Sequence, residues 1–150
     1  MVKKNIIFIS LIFLLTNCGF SPIYVKNTNA NFSIENVNYQ GDQELNNFLK
    51  IHLNQYKKKN SNRKIFVEAK SGYEKKILTK NSSGDVTNYK LVASVTFLIK
   101  SNNKKINIVE EKIISSMDDK FEETRKERTI KQNFASSISN KLISELVINK

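Results

Sequence analysis

Tyr89-Lys90-Leu91-Val92-Ala93-Ser94-Val95-Thr96-Phe97-Leu98-Ile99 is the stretch on which the fold turns. Tyr89, Leu91, Ala93, Val95, Phe97 and Ile99 recur at every second position, and Val92 and Leu98 add apolar character to the opposite phase. That period is a strand's, and apolar residues on both faces place the strand centrally in a sheet. Ser82-Ser83-Gly84-Asp85 precedes it and Ser101-Asn102-Asn103-Lys104 follows it, both rich in the residues that turn a chain. Across the first turn, Ile65, Val67, Ala69, Tyr73 and Ile77 share one phase; across the second, Ile106, Ile108 and Ile114, with Val109 and Ile113, supply another strand. Short connections of this kind join antiparallel neighbours.

Further out, Phe32, Ile34, Val37 and Tyr39 predict a first strand whose apolar phase slips between Ile34 and Val37, as a bulge would make it. Gly41-Asp42 ends that strand. Leu45, Phe48, Leu49, Leu53 and Tyr56 then recur at helical spacing, so Asp42 is expected to cap a helix running to about Tyr56, with Lys57-Lys58-Lys59 at the negative end of its dipole. At the other end of the chain Asp118-Asp119 can cap a segment in which Ile130, Phe134, Ile138, Leu142 and Leu146 form a stripe, widened by Ala135, Ile143 and Val147. The expected order is β-α-β-β-β-α. The expected fold class is α/β in the broad sense: an α+β two-layer sandwich, with two helices on one face of a four-stranded, mostly antiparallel sheet. The second sheet face is left polar or covered by a partner.

The chain has 150 residues, which is room for about one domain. It carries 25 Lys and Arg against 14 Asp and Glu, a formal charge of +11. Lys, Asn and Ile number 22, 20 and 18, and all three have A/T-rich codons, so part of the basic excess reflects codon usage rather than an anionic partner. With one Cys, an intrachain disulfide and a cysteine-rich zinc site are excluded.

Met1-Val2-Lys3-Lys4 followed by the apolar run Ile6 to Leu15 reads as a secretory signal peptide. The run is about half the roughly 20 residues that a membrane-spanning helix needs. Leu15-Thr16-Asn17-Cys18 resembles the bacterial lipobox, with Asn17 where Gly, Ala or Ser is usual. The resemblance implies cleavage before Cys18, a diacylglyceryl thioether on its sulfur and an amide-linked acyl chain such as palmitate. Two or more such chains hold a protein stably on a membrane. Residues 1–17 are thus expected to be the signal peptide, residues 18–31 a lipidated tether containing Pro22, and residues 32–150 the folded domain. Loss of Lys3 and Lys4 leaves 23 basic against 14 acidic residues, a charge of +9. Gly19 rather than Asp after the Cys favours an outer-membrane address facing the periplasm.

Catalytic chemistry is not indicated. His52, the only histidine, lies between Ile51 and Leu53 with no nucleophile motif, and a packed or solvated helix histidine accounts for it. Asp118, Asp119, Glu122 and Glu123 could bind a divalent cation, but acidic residues at a helix start are favoured by the macrodipole alone. No glycine-rich phosphate loop is present. No enzyme, metal or cofactor is therefore expected. The basic residues fall at Lys57 to Lys59 with Arg63 and Lys64, at Lys75, Lys76 and Lys80 near the first turn, and at Lys104 and Lys105 near the second. They lack the interleaved aromatics of a nucleic-acid platform, and exported proteins rarely meet nucleic acid. The abundant periplasmic polyanion is lipopolysaccharide, whose phosphates Lys can pair.

Cys18-Gly19-Phe20-Ser21-Pro22-Ile23-Tyr24 resembles the Cys-Gly-Phe-x-Pro-Leu-Tyr start of the mature LPS-assembly lipoproteins of the LptE family, with Ile23 for Leu. Tyr89 to Val95 resembles that family's Tyr-x-Leu-x-x-x-Val strand, and the polar stretch Glu122 to Arg128, leading into the helix, resembles its C-terminal segment. The resemblance implies an outer-membrane lipoprotein that sits in the lumen of the β-barrel LptD, assists its assembly and binds lipopolysaccharide on its way to the cell surface. Candidate lipopolysaccharide contacts are Lys75, Lys76 and Lys80, then Lys104 and Lys105. Two alternatives stand beside it: a pilotin-like or structural lipoprotein of another envelope secretion complex, and an exported domain that binds small anions.

Overall fold

The computed structural model describes residues 32–57 and 61–148. The expected signal peptide, the tether, lipidation of Cys18 and the lysines Lys58 and Lys59 lie outside the described residues. The elements are β1 (Phe32–Gly41), α1 (Gln43–Asn54), β2 (Arg63–Lys80), β3 (Val86–Ile99), β4 (Lys104–Ser115) and α2 (Lys120–Ile148). The order β-α-β-β-β-α is as expected, and the fold is α+β with an open, mixed sheet in the order β1-β2-β3-β4. β1 pairs with β2 in parallel, Phe32 beside Arg63 and Gly41 beside Ser71. That pairing requires the crossover that α1 provides. The β2–β3 and β3–β4 pairs are antiparallel, and β3 is an interior strand.

The alternation read in β3 sets the layers. Leu91, Ala93, Val95 and Phe97 are each 0% exposed and pack beneath the helices with Ile65, Val67 and Ala69 of β2 and Ile106 and Ile108 of β4. Burying each large apolar side chain contributes about 1.5–3 kcal/mol relative to leaving it in water. Leu45, Leu49 and Leu53 of α1, and Phe134, Ile138, Leu142 and Leu146 of α2, complete this core. The bulge in β1 falls between Ile34 and Asn36, which returns Val37 and Tyr39 to the inner face.

Local chemistry explains the boundaries. Asp42 is the N-cap of α1, its Oδ1 accepting from Leu45 N at 2.7 Å. Asp119 Oδ1 accepts from Phe121 N at 2.8 Å and Glu122 N at 3.3 Å, so it caps α2. α2 therefore begins ten residues before Ile130, and the polar stretch Glu122 to Arg128 is already helical. At the β1–α1 corner Gly41 has φ +98°, and a Cβ there would sit 1.8 Å from the Ser71 carbonyl oxygen. Ser71, a polar residue in the core phase of β2, donates its hydroxyl toward Gln40 O at 3.1 Å or Asp42 O at 3.3 Å.

The opposite sheet face carries no helix. Asn36, Asn38 and Gln40 of β1 align there with Phe66, Glu68 and Lys70 of β2, then Ser94, Thr96 and Leu98 of β3 and Lys105, Asn107 and Val109 of β4. Polar residues predominate, with Lys90–Glu111 at 2.7 Å and Lys100–Glu68 at 2.8 Å as surface ion pairs, and Phe66, Val109 and Ile113 are the exposed apolar residues among them.

Candidate functional site

β2 and β3 outrun their neighbours. β1 has its last partner at Ser71, whereas β2 continues beside β3 to Lys80. From Glu74 through Asp85 every residue is exposed, so this hairpin projects from the core. Its turn is built by Asn81, whose Oδ1 accepts from Ser83 N at 3.0 Å and Asp85 N at 2.9 Å. Gly84 takes φ +91° with nothing within 4 Å of where a Cβ would lie. A register shift between Ile77 and Thr79 twists the strand just before the turn. Thr79 and Thr87 hydroxyls meet at 2.6 Å across the hairpin. Ile77 is 56% and Leu78 45% exposed, a cost in water that a ligand or partner would remove.

The five candidate lysines fall into different settings. Lys80 ends β2, exposed and without an ion pair among the described residues. Lys76 lies on the helix-free face with its Nζ 2.6 Å from Glu74, in a pair exposed enough to contribute little. Lys75 points the other way, under α2. Its Nζ donates to Glu123 Oε1 and Glu127 Oε2, both at 2.9 Å, and stands 4.4 Å from the Tyr89 ring centroid. Burial works against the Lys75 charge, but the hydrogen bonds to Glu123 and Glu127 outweigh it and raise its pKa. Lys104 begins β4 and bonds Glu145 at 3.0 Å, while Lys105, on the helix-free face, has no ion pair among the described residues. Lys80 lies beside Val86 and Lys104 beside Ile99, the two ends of β3, so the two groups stand roughly 40 Å apart at about 3.3 Å per residue. The structure does not bring Lys104 and Lys105 to the hairpin.

The pairing of Lys75 belongs to a polar network that sequence reading did not find. Glu123, with its side chain 6% exposed, accepts from Met117 N at 2.9 Å, from Lys75 and from Lys120 Nζ at 3.3 Å. The Met117 amide first, then the Lys75 ammonium, hold its pKa down to about 2. Glu127 Oε1 accepts from the Tyr73 hydroxyl at 2.9 Å. Burial and the Glu127 carboxylate push the Tyr73 pKa well above the ordinary phenol value. Lys131 Nζ stands 4.0 Å from the Tyr73 ring centroid and bonds Glu44 Oε2 at 2.8 Å. This chain of contacts fastens the N-terminal half of α2 to β2 and α1 where the apolar core runs out. Glu123, Glu127, Lys131 and Phe134 are spaced four and three apart, so the apolar stripe of α2 simply continues toward the N-terminus with charged residues. Extending the stripe would have revealed it.

The remaining candidates have structural roles or none shown. Asp119 and Glu122 sit at the start of α2, and among the described residues no three His, Cys, Asp or Glu converge as metal ligands. His52 lies in the last turn of α1, half-buried. An open groove of 710 Å³ runs between the hairpin and the β4–α2 corner, lined by Asn81, Asp85, Thr87, Tyr89, Ser116 and Met117. Among the described residues no helix is long and apolar enough to cross a membrane.

No protein-family model and no curated protein matches the sequence. Solved structures do resemble this fold. The crystal structure of the rare lipoprotein B from Shewanella oneidensis aligns at a TM-score of 0.55 and 14% identity, over 73% of this chain and 92% of that one. The solution structure of an uncharacterized lipoprotein B from Nitrosomonas europaea aligns at 0.55 and 14% identity, over 78% and 85% of the two chains. A minor lipoprotein from Acinetobacter baumannii aligns at 0.50 and 15% identity, over 74% and 94%. At these identities the likeness establishes a common fold.

Proposed function

We propose that this chain is an envelope lipoprotein, acylated at Cys18, that binds lipopolysaccharide at its projecting hairpin and occupies the lumen of an LptD-type outer-membrane β-barrel whose assembly it assists. The observation that carries this reading is the hairpin tip, where Lys80, without an ion pair among the described residues, and the weakly paired Lys76 flank the exposed Ile77 and Leu78. Lipopolysaccharide presents the complementary chemistry: phosphates for the ammonium groups and acyl chains for the apolar pair. The helix-free sheet face supports the second part of the reading, since its Asn, Gln, Thr and paired charges suit the polar interior of a barrel. The fold shared with proteins called lipoproteins and the lipobox-like Leu15-Thr16-Asn17-Cys18 agree with an anchored protein. On this reading no bond is made or broken; the protein binds and positions.

Two measurements test it. Substituting Lys76 and Lys80 together by Glu is expected to weaken binding to lipopolysaccharide at least tenfold, about 1.4 kcal/mol, while leaving the melting temperature unchanged. Unaltered binding would remove the hairpin from the proposal. Detergent extraction of outer membranes should also recover the protein with a large β-barrel in equal amount, and its recovery alone or with a secretion complex would favour a pilotin-like role.

A further inference from the structure

At the corner where β1 gives way to α1, an open pocket of 380 Å³ is lined by side chains that take no part in the hairpin or in the charged network of α2. Gln43, Asn46, Asn47 and Lys50 come from one side of α1, and Tyr39 and Gln40 come from the end of β1. The volume lies in the range of small-molecule sites, about 300–1,000 Å³.

Asn46 is the residue that packing does not explain. It is 9% exposed and shares the buried side of α1 with Leu45, Leu49 and Leu53, yet its Oδ1 is buried without a hydrogen-bond partner. An unmet buried carbonyl oxygen costs stability, and Asn is a poor residue for a helix interior. Codon usage accounts for asparagines on the surface. It does not account for one here, because Ile is as A/T-rich and would bury its side chain without leaving a polar atom unmet. The cost is recovered if a ligand reaches the amide.

The rest of the lining decides which ligand. Gln40, Gln43, Asn46 and Asn47 are four primary amides, each offering donors and an acceptor, which is the complement of a row of hydroxyl groups. Tyr39 adds a phenol that burial keeps protonated, its pKa pushed up to about 12. Lys50 is exposed and has no ion pair among the described residues. The carboxylates nearest in sequence are turned to other partners: Asp42 caps Leu45 N at 2.7 Å, and Glu44 takes Lys131 at 2.8 Å and Arg128 at 3.4 Å. An apolar ligand would leave the amides unmet, and a cation would meet only Lys50. A molecule rich in hydroxyls with one anionic group satisfies the whole set.

We infer that the β1–α1 corner binds an acidic saccharide, its hydroxyls paired with Gln40, Gln43, Asn46 and Asn47 and its carboxylate or phosphate with Lys50. The site goes beyond the hairpin reading and stands apart from it: Gly41 lies beside Ser71, so the corner is roughly 30 Å from Lys80 at about 3.3 Å per residue.

Titrating the full chain in detergent micelles with galacturonic acid should give saturable amide shifts confined to residues 39–50. Galactose, which lacks the carboxylate, should bind about fivefold more weakly, and Lys50→Gln should erase that difference. Asn46→Leu should weaken galacturonate binding roughly tenfold while its melting temperature equals or exceeds that of wild type, since the unmet oxygen is gone. Gln43→Ala, an exposed change, should weaken binding several-fold at an unchanged melting temperature. Lipid-free polysaccharide released from lipopolysaccharide by mild acid identifies the source: shifts at the same residues, lost in Asn46→Leu, assign the sugar of the glycolipid, and binding of galacturonate alone assigns a free saccharide. Absence of saturable binding by both probes, equal affinity for galacturonate and galactose, or undiminished binding by both Asn46→Leu and Gln43→Ala would each overturn the inference. None of these outcomes touches the hairpin, which is tested separately through Lys76 and Lys80.

Discussion

β3 passes through two environments in a single strand. From Leu91 to Ile99 every second side chain is almost wholly buried beneath two helices, whereas from Val86 to Tyr89 the strand is half-exposed and lies opposite the fully exposed end of β2. The inner half is held by apolar burial. The outer half is held by backbone pairing, by the Asn81 turn and by threonine hydroxyls, with the charged network of α2 beneath its base. Stability is thus concentrated at one end of the sheet, and the other end is free to carry residues chosen for what they touch.

The sharpest way to break that contrast is Phe97→Ala, which should cost about 3–5 kcal/mol in chemical denaturation because Phe97 is 0% exposed. A cost below about 1 kcal/mol would mean that the inner half is not the mechanical core. Gly41→Ala should follow at about 3 kcal/mol, since the added Cβ meets the Ser71 carbonyl at 1.8 Å in a left-handed backbone conformation. Glu123→Gln probes the boundary between the two regions and should cost up to about 3 kcal/mol at neutral pH.

Glu123 also gives the contrast a pH signature. Its folded pKa is depressed to about 2 from the ordinary 4.5, so its contribution is complete above about pH 4.5 and is lost as pH falls through about 2. Wild type should therefore lose more stability than Glu123→Gln when both are titrated across that window. Identical slopes would show that the carboxylate is not held as described. At the tip, Gly84→Ala should cost only about 1 kcal/mol, because the strain is conformational and no atom is in the way. Smallest of all, Lys80→Glu should leave stability within about 0.5 kcal/mol of wild type, while Lys75→Glu, which sets a third carboxylate against Glu123 and Glu127, should not.

The difference between Lys75 and Lys80 marks where sequence reading stops. Both stand near the same turn and both were candidates for one anionic ligand. What separates them is Glu123 and Glu127, 48 and 52 residues downstream of Lys75, brought over it by the packing of α2. The strands were legible because a period of two is a local property, and so were the β1 bulge and the Asp42 cap. The cap of α2 at Asp119 was legible as well, but the contacts made by its first ten residues were not, because their buried face is charged and its partners come from β2 and α1. Ser71 was passed over for the same reason: its hydroxyl is satisfied by a corner that only the folded chain creates.

The parallel pairing of β1 with β2 has a mechanical consequence. Phe32, where the described chain begins, lies beside Arg63, and β2 then runs 18 residues to the hairpin tip, roughly 55 Å at about 3.3 Å per residue. A force applied between that entry point and the tip would load β1 against β2 in shear, straining the rungs of their ladder together rather than peeling them one by one, so a molecule held at one pole and tugged at the other resists along its stiffest direction.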